Sequence, residues 1–100
     1  MPEAVSSIAY EIDPDNAAQL ADAHREAVAA LKAADVGFVE GKLYRMEGYE
    51  GAYFDIWRWQ SPEAAEQVTE LRVTIRQVQA YIKLIESEPL YTEGTVVEEA

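Results

Sequence analysis

Tyr53-Phe54-Asp55-Ile56-Trp57-Arg58-Trp59-Gln60-Ser61-Pro62-Glu63-Ala64-Ala65 is the stretch that decides the fold of this chain. Its first half reads as an aromatic strand. Ser61 and Pro62 then turn that strand straight into a helix: Ser61 caps, Pro62 takes the first helical position, and Glu63 favours the first turn. Side chains alternate along a strand, so Phe54 and Ile56 point one way and Tyr53, Trp57 and Trp59 the other. Large apolar groups thus stand on both faces. A short chain has helices enough to cover one face of a sheet, so the other face calls for a partner, and the expected partner is a second copy.

Working outward, the strand runs from Ala52 to Trp59. The segment Glu47-Gly48-Tyr49-Glu50-Gly51 before it carries two glycines and reads as a turn. It joins a second strand, Phe38 to Met46, to the third as a hairpin. In that second strand, alternation puts Val39 and Leu43 on one face and Phe38, Tyr44 and Met46 on the other. Val5 to Ile12 is the first strand, with Ile8, Tyr10 and Ile12 opposite Val5, Ser7 and Ala9. Asp13-Pro14-Asp15 then starts a helix, Asp13 as cap and Pro14 at the first position. The Ala-rich segment to Ala34 has high helix propensity. Its inward stripe is Leu20, His24, Ala27 or Val28, and Leu31, and Gly37 ends the connection.

Beyond the junction, apolar residues recur at 64, 68, 71, 75, 78, 82 and 85. Read literally, this is one amphipathic helix from Pro62 to about Glu86. It would be roughly 37 Å long, against a radius of gyration of about 13 Å for a compact chain of this size. Val73-Thr74-Ile75, all β-branched, is its weakest stretch, and a break or bend is expected there. A long helix gripping a partner subunit is the alternative. Pro89 stops the helix, and Leu90 to Glu98 supplies a fourth strand around Thr95, Val96 and Val97. The order is strand, helix, strand, strand, helix or helices, strand. That is the split βαβ plan of ferredoxin-like α+β folds with a four-stranded antiparallel sheet, read here as one domain over residues 1–100.

The chain has 100 residues, no cysteine, and 19 acidic against 8 basic residues for a net charge of −11. Without cysteine there is no disulfide, thiol nucleophile or thiolate metal site. Phosphate backbones and anionic lipid would repel the chain overall, so neither nucleic acid nor membrane is an expected partner. The acids are spread, densest at Glu86, Glu88, Glu93, Glu98 and Glu99, which reads as solubility. No apolar run is long enough to span a bilayer. Met1-Pro2-Glu3-Ala4 has neither the basic segment nor the apolar core of a secretory signal. A cytoplasmic protein is the simplest expectation.

With the element order in place, the junction Trp59-Gln60-Ser61-Pro62-Glu63-Ala64 resembles the strand-to-helix junction of the antibiotic biosynthesis monooxygenase superfamily. The resemblance in element order covers nearly the whole chain. It implies a dimeric α/β barrel, in which two four-stranded sheets pair. It also implies a range of activities: some members are oxygenases that act on aromatic polyketides without metal or flavin, some degrade haem, and others have no established reaction. The haem-degrading branch uses a histidine on the helix of the second half and an asparagine in the first strand. Here the only histidine is His24, on the first helix, and the first strand offers Ser6 and Ser7. Haem degradation is therefore disfavoured. Of the quinone-forming oxygenases' polar set, the tryptophan alone carries over, onto Trp59.

The candidate site residues each have a plain structural alternative. Trp59 and Trp57 are candidates to wall a pocket for a flat ligand with the indole N–H as donor, or they pack the interior. His24 has the one unperturbed pKa near neutrality and is the candidate general base, or it is a hydrogen-bonded boundary histidine. Tyr10 and Tyr44, among many tyrosines, are candidates to orient a phenolic substrate; half-buried strands also prefer tyrosine. Arg72, four residues from Arg76 on one helix face, is a candidate clamp for a carboxylate, or it pairs with Glu66 or Glu70. Arg58, at the end of its strand, reaches towards solvent. No second histidine accompanies His24, so no metal site is expected. No glycine-rich phosphate loop opens a helix, so no nucleotide cofactor is expected. Two functions follow. One is a cofactor-independent monooxygenase, or related isomerase, acting on a small aromatic or enolisable substrate. The other is a non-catalytic dimeric module that binds a small apolar ligand or serves as an accessory subunit.

Overall fold

The computed structural model describes residues 2–85 and 89–98. Four antiparallel strands lie in the order β2-β3-β1-β4. They are β1 (Ala4–Glu11), β2 (Phe38–Arg45), β3 (Ala52–Trp59) and β4 (Leu90–Thr95). Helices α1 (Ala17–Ala33), α2 (Pro62–Glu66), α3 (Val68–Thr74) and α4 (Arg76–Lys83) all pack on one face of this sheet. The architecture is the ferredoxin-like α+β fold that the element order predicts. No helix among the described residues is long and apolar enough to cross a membrane.

The junction behaves as its residues dictate. Ser61 is extended and its hydroxyl accepts from the Ala64 amide at 3.2 Å, while Pro62 opens α2. Asp13 caps as expected, but what it caps is a 3₁₀ turn, Pro14–Asn16, that leads into α1. Along α1 the buried stripe is Leu20, His24, Ala27 and Leu31, with Val28 half-buried. The β2–β3 hairpin turns on Gly48 and Gly51, whose φ angles of 83° and 82° suit glycine. A side chain at residue 51 would also meet the Ile12 carbonyl oxygen at 2.7 Å.

Three expectations need correction. The first concerns β2. The register slips between Phe38 and Glu40, leaving Val39 as an extra residue. Such a bulge changes the alternation. Phe38 and Leu43 therefore share the helix-covered face, and Tyr44 stands opposite, stacked on Phe54. The second is β4, which occupies Leu90–Thr95 rather than centring on residues 95–97. It pairs with β1 along its length, and the Val96 amide extends the pairing to the Glu3 carbonyl. The third is the extent of the second helical region. It ends at Lys83, well before Pro89, and Glu86 lies outside the described residues, as do Glu88 and Glu99 of the acidic stretch.

The break in that region falls where the β-branched cluster placed it. Ile75 is extended, at φ −102° and ψ 112°, and separates α3 from α4. One consequence was not legible from the helical spacing. Arg72 and Arg76 no longer share a helix face, because they sit on different helices.

Candidate functional site

The inner face of β3 sets Tyr53, Asp55, Trp57 and Trp59 beneath the helices. Asp55 is 1% exposed in the middle of this apolar face. A buried carboxylate requires partners, and it has them. Oδ1 accepts from the Ile8 amide at 2.9 Å, and Oδ2 accepts from the Tyr81 hydroxyl at 2.6 Å. The Tyr81 and Tyr10 hydroxyls are themselves hydrogen-bonded at 2.5 Å. This network ties α4 to both central strands. Burial pushes the Asp55 carboxyl up to about 6, against the lowering effect of the Tyr81 and Ile8 hydrogen bonds. Burial, with the charge of Asp55 beside it, holds the Tyr81 phenol far above its ordinary range. The Tyr10 phenol is raised chiefly by its own burial.

Tyr81 stacks on Trp57 with the rings inclined by 27° and their centroids 6.0 Å apart. Trp57 is in turn one wall of a cleft of about 190 Å³ between the sheet and the α3–α4 pair. Ile8, Val68, Val78 and Ile82 complete its apolar part, and Thr69, Arg72 and Tyr91 supply polar groups. Thr69 and Arg72 are three residues apart on α3 and so share a face. The Tyr91 hydroxyl donates to Glu93 at 2.8 Å. Its phenol is raised by burial and by Glu93, and a hydrogen bond from Ser6 and, less strongly, the charge of Arg72 act the other way. The pairing of Arg72 with Glu66 or Glu70 is not found: the ion pairs among the described residues involve Arg25 and Arg58. Arg58 is held on the uncovered face by Glu40 at 3.0 Å and Glu3 at 3.3 Å instead of extending to solvent.

The other candidate residues fall elsewhere. Trp59 is fully buried, and its indole N–H donates to Ser6 Oγ at 2.9 Å. Tyr10 is committed to Tyr81. Tyr44 is on the uncovered face of the sheet. His24 packs edge-on against Tyr81 and Trp57, at 5.4 and 6.3 Å between centroids. It lines the groove between α1 and β2, on the far side of Trp57 from the cleft. Burial holds its imidazole below the ordinary pKa. His24 Nε2 and Trp57 Nε1 are both buried without a hydrogen-bond partner among the described residues. The Trp57 Cδ1 edge faces β2, 3.1 Å from where a Cβ at Gly41 would stand. Of the six candidates, then, Trp57 and Arg72 meet at one cleft, while His24 and Trp59 do not join them.

Sequence reasoning passed over Asp55 and took Tyr81 only as one of many tyrosines. Asp55 carried a usable signal, a lone acid between Tyr53 and Trp57 on an inward-pointing phase. Tyr81 carried none, because it lies off the stripe drawn for an unbroken helix.

No protein-family model matches the chain, and no curated protein sequence matches it. Solved structures do match. A point mutant of SnoaB, a cofactor-independent oxygenase from Streptomyces nogalater, superposes with a TM-score of 0.75 at 16% identity, covering 99% of this chain and 97% of that one. A candidate antibiotic biosynthesis monooxygenase from Caulobacter crescentus matches with a TM-score of 0.75 at 18% identity, over 97% and 92% of the two chains. Rv0793 from Mycobacterium tuberculosis matches at 0.71 and 19%, over 98% of each. The fold is that of the antibiotic biosynthesis monooxygenase-like proteins.

Proposed function

We propose that the α3–α4 cleft binds a small, flat, largely apolar molecule bearing a negatively charged or ionisable oxygen, and that the protein oxidises it with molecular oxygen without a cofactor. The observation that carries the binding is the cleft itself: apolar walls around Trp57, with the Arg72 guanidinium, which has no ion pair among the described residues, in its lining. The oxygenase part draws support from the likeness in fold to SnoaB.

The chemistry suits such a cleft. None of the described residues lining it is a carboxylate or histidine. The substrate must therefore lose its proton readily on its own, as an enol or phenol does, and Arg72 favours the resulting anion. An enolate can pass an electron to oxygen. Recombination gives a hydroperoxide, and loss of water leaves a new carbonyl, so that one CH₂ and one O₂ become one C=O and one H₂O. Apolar walls keep protons from quenching the carbanion. The missing base also favours the second reading, a binding module without turnover.

The test is an oxygen electrode with a panel of phenols and cyclic enols, and no added metal or flavin. Uptake matched by a carbonyl product is the expected result. Binding without uptake would leave the non-catalytic module.

We further propose that the working form is a homodimer. The face of the sheet away from the helices presents Val5, Ala9, Tyr44, Phe54, Ile56 and Leu90. Tyr44 and Ile56 are each 38% exposed there and Leu90 70%. A second sheet would cover them.

A further inference from the structure

We infer that the ligand of the α3–α4 cleft is a single-ring carboxylate, an inference that rests on the binding part of the function proposed above. Size comes first. The cleft holds about 190 Å³. An apolar cavity of about 150 Å³ takes up one benzene molecule, and sites for drug-sized ligands begin near 300 Å³. One ring and a small substituent fit; three fused rings do not.

Polarity comes second, and it is graded along the cleft. Ile8, Trp57, Val68, Val78 and Ile82 surround the space with hydrocarbon. Thr69 and Arg72 project from neighbouring positions on one face of α3, and Tyr91 adds its ring from β4. Among the described residues the Thr69 hydroxyl has no hydrogen-bond partner, unlike that of Thr74, which donates to the Glu70 carbonyl at 3.1 Å. Among the described residues the carboxylate tied to this end is Glu93, whose Oε1 already accepts from Tyr91. A planar guanidinium matches a carboxylate through two parallel N–H···O bonds, and a hydroxyl one turn away can donate a third. An aryl carboxylate satisfies both ends at once, ring on hydrocarbon and oxygens on Arg72 and Thr69.

The experiment is calorimetric titration of the full chain, without oxygen, using benzoate, benzyl alcohol and anthracene-9-carboxylate. Benzoate is expected to bind at least tenfold more tightly than benzyl alcohol, and anthracene-9-carboxylate not measurably. Arg72→Gln, an exposed position that leaves the core untouched, is expected to weaken benzoate at least tenfold and leave benzyl alcohol unchanged. Equal binding of benzoate and benzyl alcohol, or unchanged benzoate binding in the variant, overturns the carboxylate. Anthracene-9-carboxylate binding as tightly as benzoate overturns the single ring. Oxygen uptake is read separately. Benzoate binding in a protein that consumes no oxygen on any phenol or enol retains this inference and removes the oxygenase. Turnover of multi-ring phenols without benzoate binding does the reverse.

Discussion

At the scale of single residues, Asp55 carries the sharpest consequences. Its carboxyl ionises near pH 3.8 when unfolded and at about 6 when folded. Between those values the folded chain keeps a proton that the unfolded chain has released. Stability therefore falls as pH rises through that window, by up to about 3 kcal/mol from Asp55 alone. His24 acts in the opposite sense. Its folded pKa is lowered, so stability falls as pH drops below its unfolded value of 6.5. Asp55→Asn should remove the first slope and leave the second, as urea denaturation between pH 4 and 8 would register. Tyr81→Phe should cost about 1–3 kcal/mol, because it leaves a buried Asp55 oxygen and the Tyr10 hydroxyl without their shared partner. It should also raise the Asp55 pKa further, which carbon-detected NMR of the carboxyl would read. The strand's alternation puts Asp55 on the inward phase, a signal of a buried acid that the sequence reading left unused. It could not reveal the acid's partner, since Tyr81 reaches it only after the backbone has turned at Ile75.

Elements are where the sequence was most readable, and where its errors have single causes. The serine-proline junction, the glycine hairpin and the break at Val73-Thr74-Ile75 are local signals, and each operates where its residues stand. Ser61→Ala should cost about 1 kcal/mol by removing the side-chain cap of α2, measurable as a lowered thermal midpoint. The faces of β2 were misread because one extra residue, Val39, reverses the phase of everything beyond it. Alternation has no marker for a bulge. The separation of Arg72 from Arg76 likewise follows from the turn at Ile75, which a helical wheel treats as one more step. These two local irregularities decide which side chains reach the cleft, so the candidate site was only partly legible. Trp57 and Arg72 were read as site candidates, Tyr91 only as one of many tyrosines, and Val78 and Ile82 only as part of an inward apolar stripe, while Thr69 was not read at all.

For the whole molecule, the controlling fact is that the helices occupy one side of the sheet only. Aromatic and aliphatic groups on both faces of β3 were visible in its sequence, and the structure leaves one of those faces uncovered. Ile56→Lys puts a charge at its centre, opposite Ser7 and beside Lys42. Sedimentation velocity should show the parent chain as a dimer and this variant as a monomer with a native circular dichroism spectrum. A parent chain that sediments as a monomer at micromolar concentration would remove the dimer proposal. With a net charge of −11, two chains repel each other at long range, so added salt should strengthen the dimer rather than weaken it.

The two tryptophans stand two residues apart on one strand, yet in different surroundings. Trp59 is sealed in the core with its N–H on Ser6, and Trp57 lies between Tyr81 and the cleft. Their emission is therefore a two-channel optical signal that needs no label. A Trp59→Phe variant isolates a fluorophore that reports cleft occupancy and the seating of α4, and Trp57→Phe isolates one that reports the integrity of the interior. A molecule that quenches the first and leaves the second unchanged has entered the cleft without loosening the protein around it.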